Sequence, residues 1–388
     1  MVENQLNQSV YSKRFKEKSE DIRGPFFRDQ TAIIHSFSFR RLKRKTQVFF
    51  TPDNDHICTR IEHSFHVLTN TTTICKGLIN KGWKLDIEMV QAIALGHDIG
   101  HAPFGHAGEE HINQIVKKNK GKLQSFHHEI NSLRIVDYIE NKGDGLKLTY
   151  GVRDGIVKHC GEKLEEYQLI EPDWEICNLE DITELKYLPS SYEGCIVRLS
   201  DKISSLGRDI EDSIRLEIID SGIIPAEILD YLGIKHTEAK DEFNRAFLNR
   251  IIYDVIDTSD NKELIGISDD GFDIIKKINR FSEDNIYTAK KVKNYQYYVG
   301  VILNNIYVSL LEIFEKYGSE FENYNKCFID SYKIFGHWLE TYEQFFKETE
   351  ADKIQILIDY ISGMSDNFAI NFHRDISVPK SKFNWRPQ

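Results

Sequence analysis

Apolar residues recur at helical spacing along nearly the whole chain, and this periodicity restricts the fold more than any other feature. The clearest stripe follows Pro189 and consists of Ile196, Leu199, Ile203, Leu206 and Ile210. Ser190 and Glu193 stand ahead of it at the spacing of a capping box, which predicts that the helix starts there. Strand-like alternation is limited to short pieces such as residues 147–150. The sequence therefore predicts an all-α protein with few or no strands.

Further helices are predicted on both sides of this stripe. Residues 60–68 fit a helix with Ile61, Phe65 and Leu68 turned inward. Asp86 is a predicted N-cap for the next helix. A series of C-terminal helices is predicted over residues 240–256, 271–281, 287–316, 328–348 and 352–372.

The composition is that of an ordinary globular protein and favours the cytoplasm. Of the 388 residues, 40% are hydrophobic and 29% are charged, which is enough apolar material for a core. No apolar run approaches the roughly 18 residues of a membrane span, and the N-terminus lacks the apolar core of a signal peptide. The six cysteines form no CxxC pair, a pattern typical of a reducing compartment. We expect a cytoplasmic protein that does not bind membranes.

Charge is distributed unevenly. The net charge is −11, yet residues 1–60 carry 12 Lys/Arg against 7 Asp/Glu, a local charge of +5 that leaves −16 for the remainder. The basic density peaks at residues 40–45, where the sequence reads RRLKRK. A nucleic-acid patch, a polyphosphate clamp and a solvated helix face remain open for this run. The acidic remainder favours a small anionic ligand over an extended duplex.

The fifteen residues from Gly96 to Glu110 hold three histidines and three carboxylates among small and apolar residues. Such groups are costly to bury unless they are paired or bind a metal ion. Asp98 directly follows His97, and further histidines stand at positions 101 and 106, which predicts a metal site with its own acid/base groups. The alternative is a polar loop with incidental histidines.

A transition-type divalent ion prefers neutral imidazole and carboxylate ligands on rigid elements. Predicted helices offer such groups at three places along the chain: His63, the pair His97 and Asp98, and Asp201. Asp201 also belongs to a row with Ser205 and Asp209, and a row of this kind is equally typical of the solvated face of a surface helix.

The ordered motifs around these residues resemble a known superfamily. TRIEHS at residues 59–64, GHDIGH at 96–101 and LSDK at 199–202 reproduce the H…HD…D pattern of the HD-domain phosphohydrolases. Within that superfamily, the chain is similar to the bacterial dGTPase-type dNTP triphosphohydrolases over about residues 23–372. The segments that carry this closer resemblance are 39–49, 103–109, 126–134, 154–159 and 359–366.

The resemblance implies a fold and a division of the chain. It predicts a helical HD core with additional C-terminal helices. Residues 1–60 would form a basic N-terminal segment packed on the core, residues 61–215 the HD catalytic core, and residues 216–388 a helical part that completes the same domain.

The resemblance also implies a role for each residue that matches a family motif. The implied ligands of one divalent metal ion, with Mn²⁺ or Mg²⁺ expected and other transition metals as alternatives, are His63, His97, Asp98 and Asp201. The implied catalytic groups are His106, Glu109, His101 and His128. The implied substrate-binding groups are Arg60, Gln47, Lys202 and Asp209.

The implied reaction is metal-dependent hydrolysis of dGTP, or of dNTPs more broadly, to a deoxynucleoside and inorganic triphosphate. Metal-activated water would attack the α-phosphate. The resemblance further implies a homo-oligomer with a nucleotide effector at a subunit interface. The basic run at residues 40–45 indicates single-stranded nucleic acid as a further partner. Two alternatives stay open: an HD-type nucleotidase or phosphodiesterase acting on mono- or cyclic nucleotides, and a dNTP-sensing or single-stranded nucleic-acid-binding protein.

The sequence departs from the family pattern after the last ligand. Ser205 stands where many relatives carry a tyrosine, and Arg208 replaces a histidine, so the preferred base and sugar stay open. Arg208 is expected to meet a phosphate or to pair with Asp212. Because all four implied ligands are present, we expect an active enzyme. His66 is interpreted as a packing or hydrogen-bonding residue, and His159 receives no assigned role.

Overall fold

The computed structural model describes residues 2–50, 54–119, 121–161 and 163–378, and in this part of the chain the protein is almost entirely helical. The all-α prediction is therefore confirmed. The α-helices are α1 (Gln8–Tyr11), α2 (Pro25–His35), α3 (Phe37–Arg41), α4 (Arg60–Asn80), α5 (Ile87–Gly96), α6 (Gly105–Asn119), α7 (His128–Arg134), α8 (Tyr150–Val157), α9 (Tyr192–Arg215), α10 (Ala226–Leu232), α11 (Ala239–Lys262), α12 (Asp269–Ser282), α13 (Lys290–Tyr317), α14 (Phe321–Asn325), α15 (Asp330–Glu348), α16 (Lys353–Ser362) and α17 (Asp366–Ser377). Two short strands, β1 (Leu169–Ile170) and β2 (Ile265–Gly266), pair antiparallel.

Two details of the predicted elements are wrong. The single helix predicted over 352–372 is two helices, α16 and α17, because the hydroxyl of Ser365 caps a new helix by accepting from the backbone N–H of Phe368 at 3.3 Å. The strand-like piece at 147–150 forms only an isolated bridge between Arg14 and Thr149 before α8 begins.

The helices are grouped in two compact units. The first comprises Met1–His101 and His127–Tyr295, and the second comprises Ala102–Phe126 and Gln296–Gln388. The boundary between them falls inside α13, after Tyr295.

The centre of the first unit is formed by α4, α5, α9 and α11, which pack against one another. Glycines permit the closest approaches. A Cβ atom on Gly77 of α4 would lie 2.4 Å from Ile256 of α11, and one on Gly207 of α9 would lie 2.5 Å from Asn244 of the same helix α11. Neither position tolerates a side chain without displacement of its neighbour.

Capping groups fix where α4, α5 and α9 begin. Glu62 accepts hydrogen bonds from the backbone N–H and the hydroxyl of Thr59, each at 2.8 Å. Asp86 accepts from two backbone N–H groups of the first turn of α5, at 3.0 and 3.1 Å, as predicted. The predicted capping box of α9 is wrong, because the cap is Ser191, whose hydroxyl accepts from the N–H of Gly194 at 3.0 Å.

The inward face of α4 also differs from the prediction. Phe65 is 46% exposed, whereas His63, Ser64 and Val67 are buried. The apolar pattern misplaced this face because the helix turns polar groups towards the interior, where they take part in a buried cluster.

The second unit contains α6, most of α13, and α14–α17. Aromatic packing dominates its C-terminal part, where the ring of Tyr360 lies 4.9 Å from the rings of both Phe335 and Trp338, centroid to centroid. Within the described residues, α13 is the one helix long and apolar enough to cross a membrane, with 33% of its apolar window buried. Length and composition alone are weak evidence for a span, since core helices pass the same test.

Candidate metal centre

Three helices of the first unit bring the four implied metal ligands together. His63 lies in the first turn of α4, His97 and Asp98 directly follow α5, and Asp201 lies in α9. Nε2 of His63 is 2.8 Å from Oδ1 of Asp201 and 3.8 Å from Oδ2 of Asp98. Nε2 of His97 is 3.6 Å from both Oδ1 of Asp98 and Oδ1 of Asp201. The set is buried, with Asp201 the most accessible side chain at 20% exposure.

The environment of His97 fits a metal ligand. Its Nδ1 lies 2.7 Å from the carbonyl oxygen of Ala94, so Nδ1 carries the proton and Nε2 presents a lone pair. This Nε2 is buried, and no hydrogen-bond partner reaches it among the described residues. A buried polar atom is rarely left unsatisfied, and here a cation would satisfy it.

The carboxylates of the centre are held in their ionised form. Burial by itself would raise the pKa of Asp98, but Arg60, His97 and His101 outweigh it and bring this pKa well below its usual range. At Asp201, burial by itself would raise the pKa, but the hydrogen bonds and charges of His63 and His97 outweigh it. The pKa of Asp201 is therefore also well below its usual range. Burial by itself would lower the pKa of His97, but the carboxylates of Asp98 and Asp201 outweigh it, so this pKa is raised overall. The site thus carries fixed negative charge suited to a divalent cation.

Arg60 is buried beside the centre and orients two of its neighbours. Its Nη1 donates to Oδ2 of Asp98 at 2.8 Å, and its Nη2 donates to the backbone oxygen of Gln47 at 3.2 Å. The amide Oε1 of Gln47 is itself buried, and within the described residues no hydrogen bond reaches it. Arg60 therefore contacts one of the implied metal ligands directly, and Gln47 is joined to it through Arg60.

His101 and His128 form a stacked pair against Asp98. Their ring centroids are 3.7 Å apart, and Nε2 of His101 lies 3.1 Å from Oδ1 of Asp98. Burial, Arg60 and His128 bring the pKa of His101 well below its ordinary value, which keeps its imidazole neutral.

The turn that carries His97 and His101 is held by residues to which the sequence gave no role. The hydroxyl of Ser132 donates to the backbone oxygen of His97 and accepts from the N–H of Gly100, each at 2.8 Å. Asn131 donates to the backbone oxygen of Gly100 at 2.6 Å. A Cβ atom on Gly100 would lie 2.1 Å from the nitrogen of Ser132, so only glycine allows this approach. Asn131 and Ser132 belong to the segment 126–134 that carries the family resemblance, and this was the signal in the sequence that could have identified them.

Lys45 belongs to the site, although the sequence placed it in a basic run. It is only 2% exposed, and its ammonium group donates to the backbone oxygen of His101. Arg40, Lys43 and Arg44 are exposed. The run therefore divides into a surface part and a buried lysine that supports the turn carrying His101.

The remaining implied substrate groups lie along α9. Nζ of Lys202 donates to Asn279 at 3.2 Å. Asp209 is buried and accepts a hydrogen bond of 2.6 Å from the hydroxyl of Tyr287. Sequence reasoning missed Tyr287 because it is 78 residues away from its partner.

The two residues that depart from the family pattern make local contacts. The hydroxyl of Ser205 donates to the backbone oxygen of Lys202 at 3.1 Å. Arg208 pairs with Glu211 at 3.0 Å, while Asp212, its expected partner, accepts from the N–H of Cys58 at 3.1 Å.

His106 and Glu109 lie in the second unit, in the first turns of α6. Nδ1 of His106 is 3.7 Å from Oε2 of Glu109, and the two side chains are 66% and 13% exposed. The helix is entered through Phe104, whose φ of 68° places it in the left-handed region and whose N–H donates to Asp366 at 2.7 Å. This contact gives the motif residue Asp366 a structural role.

His66 is expected to make stability depend on pH. Burial, together with Arg208 and His63, lowers its pKa to about 4. The unfolded chain then binds more protons than the native protein between about pH 4 and 6.5. The stability that the neutral, buried His66 contributes is therefore fully present above pH 6.5 and is lost as the pH falls through this range. Urea denaturation at pH 7 and pH 4.5, at constant metal content, should show a weaker pH dependence for His66→Gln than for the wild type. Equal dependence in both proteins would contradict this role.

Comparisons with known proteins agree with this geometry. The pattern of the HD domain family matches residues 60–206, which include all four implied ligands. Relatives named deoxyguanosinetriphosphate triphosphohydrolase-like protein include one from Clostridium tetani, 32% identical over 94% of this chain and 89% of the relative. Another, from Caldanaerobacter subterraneus subsp. tengcongensis, is 31% identical over 95% of this chain and 89% of its own length. A third, from Rickettsia rickettsii, is 31% identical over 93% of this chain and 94% of its own.

The sequence motifs, the buried cluster of the four implied ligands and the similarity to relatives over most of the chain all indicate the same family. The chain belongs to the HD-domain family of deoxyguanosinetriphosphate triphosphohydrolase-like proteins.

Proposed function

We propose that this protein hydrolyses deoxynucleoside triphosphates, dGTP or a broader set, to a deoxynucleoside and inorganic triphosphate. The observation that carries the proposal is the convergence of His63, His97, Asp98 and Asp201 from three helices into one buried cluster. The names of the relatives point to the same substrate class.

The four residues would hold one Mn²⁺ or Mg²⁺ ion. Two carboxylates and two imidazoles suit a divalent ion of this kind, and the buried Nε2 of His97 needs such a partner. When bound, the ion supplies a water of lowered pKa and draws charge from the phosphate oxygens.

Substrate binding is assigned to the groups beside this cluster. The free N–H groups of Arg60 and the ammonium of Lys202 would hold the phosphates. The side-chain amide of Gln47 and the carboxylate of Asp209 would bind the sugar or the base. The hydroxyl of Tyr287 fixes the orientation of Asp209 through its hydrogen bond of 2.6 Å, which holds this carboxylate in place for the sugar.

Proton transfer is assigned to the histidines. The imidazoles of His101 and His128 would line the α-phosphate and donate hydrogen bonds to its oxygens. His106 would give its proton to the departing 5′-oxygen, and Glu109 would orient its ring.

Replacing His106 with alanine should lower turnover without removing the metal. Loss of a general acid typically costs about 100-fold or more. The measurement is kcat for triphosphate release, with Mn²⁺ content determined on the same sample. Glu110→Gln, on the exposed side of the same helix, is the matched control and should retain both. An unchanged rate in His106→Ala would contradict the assignment.

The reaction itself is tested with a panel of dNTPs, offered singly and in mixtures with Mn²⁺ or Mg²⁺. We expect chromatography to show inorganic triphosphate and a deoxynucleoside. Mixtures are included because an enzyme activated by a second nucleotide is inert on one substrate alone. Orthophosphate or a linear nucleotide as product would favour a nucleotidase or phosphodiesterase, and no triphosphate from any mixture would overturn the proposal.

The family resemblance also leads us to propose a cytoplasmic homo-oligomer with a nucleotide effector at a subunit interface. Light scattering with and without dNTPs tests the assembly. The exposed Arg40, Lys43 and Arg44 are the residues we assign to binding of single-stranded nucleic acid. Salt-sensitive binding of single-stranded DNA that is lost in the triple glutamine variant is the expected result.

A further inference from the structure

We propose that the protein binds a second cation, Zn²⁺, through His128, Glu129, His159 and Cys160. These four residues belong to the first unit, and their ligand atoms all lie within 4.8 Å of one another. They share no residue with the four ligands of the metal centre described above. The site is defined by binding alone and does not depend on the proposed hydrolysis.

Two chain segments supply the four groups. His128 and Glu129 are the first two residues of α7, and His159 and Cys160 follow the end of α8. His128, Glu129 and His159 are each 6% exposed or less. Three of the four donors are thus buried, and Cys160 is partly buried.

His159 is oriented as a ligand. Its Nδ1 lies 2.6 Å from the carbonyl oxygen of Ile156, so Nδ1 carries the proton and Nε2 presents a lone pair. Nε2 is buried, and among the described residues no hydrogen bond satisfies it. The same arrangement marks His97 as a ligand of the first centre.

The local charge also calls for a cation. Cys160 lies between two carboxylates, with Glu129 beside it and Oδ2 of Asp201 3.8 Å from its Sγ. A divalent ion would balance the carboxylates and bind the thiolate, with the thiol proton released to solvent.

Two side chains face both sites. Asp201 directs Oδ1 towards His63, at 2.8 Å, and Oδ2 towards Cys160. His128 places Nδ1 3.4 Å from Glu129 and Nε2 3.9 Å from Oδ1 of Asp98. The second site therefore lies next to the first.

The donor set selects the kind of ion. A thiolate with two imidazoles and a carboxylate is typical of Zn²⁺, whereas Mg²⁺ and Mn²⁺ prefer oxygen ligands. Tetrahedral Zn²⁺ with bonds of about 2.0–2.3 Å needs donors roughly 3.3–3.8 Å apart, so the observed cluster requires only a small contraction.

The test replaces Zn²⁺ with Co²⁺, because a cysteine thiolate bound to Co²⁺ gives a charge-transfer absorption in the near ultraviolet. We expect this band in the metal-stripped wild type on addition of Co²⁺. It should disappear in Cys160→Ser and persist in Cys75→Ser, a fully buried thiol whose charged neighbours include no histidine. His63→Ala should keep the band, because His63 belongs to the first centre alone.

Equilibrium dialysis against Zn²⁺ gives the independent readout, with circular dichroism on each sample to verify folding. The wild type should bind a second Zn²⁺ that Cys160→Ser lacks. If Cys160→Ser does not fold, His159→Gln takes its place and should weaken this Zn²⁺ by at least about 10-fold. Absence of the band in the wild type, or an undiminished band in the folded Cys160→Ser variant, would overturn the proposal. No substrate is present, so failure here is distinct from failure to hydrolyse dNTPs.

Discussion

Replacing Asp201 with asparagine is expected to weaken Mn²⁺ binding by more than about 100-fold, since even residues that merely support ligands cost 10–100-fold. Oδ1 of Asp201 lies close to both imidazoles, at 2.8 Å from His63 and 3.6 Å from His97. An amide keeps the shape but removes the charge that the buried cluster uses to hold a cation. Hydrolysis of dNTPs should fall to background, and Mn²⁺ titration by calorimetry alongside the triphosphate assay measures both losses.

The matched control lies on the same helix. Asp212 is also buried, at 2% exposure, but it accepts a hydrogen bond from the backbone of Cys58 instead of contacting a proposed ligand. Asp212→Asn should therefore retain Mn²⁺ and activity. Asp98→Asn is a less direct test, because it also leaves the buried Arg60 without its carboxylate. If Asp201→Asn still bound Mn²⁺ as tightly as the wild type, the ligand set proposed here would be incorrect.

The helical class could be predicted from local periodicity, and the grouping of the four ligands could be predicted from the resemblance of their motifs to the HD-domain phosphohydrolases. Periodicity identifies helices, and a His-Asp pair at the end of α5 is a short motif with a physical role. The structure brings this pair to His63 and Asp201, which lie 138 residues apart.

The parts that could not be predicted depend on distant contacts. Phe65 was placed inward because it is apolar, but α4 turns towards the cluster and leaves this ring 46% exposed. Ser190 looked like a cap, yet its hydroxyl and N–H both bind Asp154. Lys45 and Tyr287 are ordinary residues in sequence and acquire roles only through partners far along the chain.

The DGIVKH segment at residues 154–159 shows how a motif can serve positioning rather than chemistry. Asp154 and Lys158 form an ion pair of 2.6 Å in which the two side chains are 0% and 1% exposed. Asp154 also accepts from the N–H and hydroxyl of Ser190, which links α8 to the start of α9. The backbone oxygen of Lys158 accepts from Arg198 at 2.9 Å. These contacts fix the chain where it delivers His159 to the interior.

Replacing Lys158 with methionine should therefore cost about 3–5 kcal/mol in the free energy of unfolding, because Asp154 is left as an unpaired buried charge. That is a large share of the roughly 5–15 kcal/mol that stabilises a typical domain. The double variant Lys158→Met/Asp154→Asn should recover most of the loss, since a neutral amide oxygen can still accept from Ser190.

The pH dependence separates this explanation from a simple packing defect. In Lys158→Met, the carboxylate of Asp154 is buried without a counterion, and protonation would remove this unpaired charge. The penalty should therefore be largest at neutral pH, where the carboxylate is charged, and should shrink as the pH falls. Urea denaturation should show that the free energy of unfolding of Lys158→Met differs less from that of the wild type at pH 5 than at pH 7. For the double variant, the difference from the wild type should be the same at both pH values. If the loss of unfolding free energy were the same at both pH values, it would be due to the lost packing of the Lys158 side chain and not to the unpaired charge of Asp154.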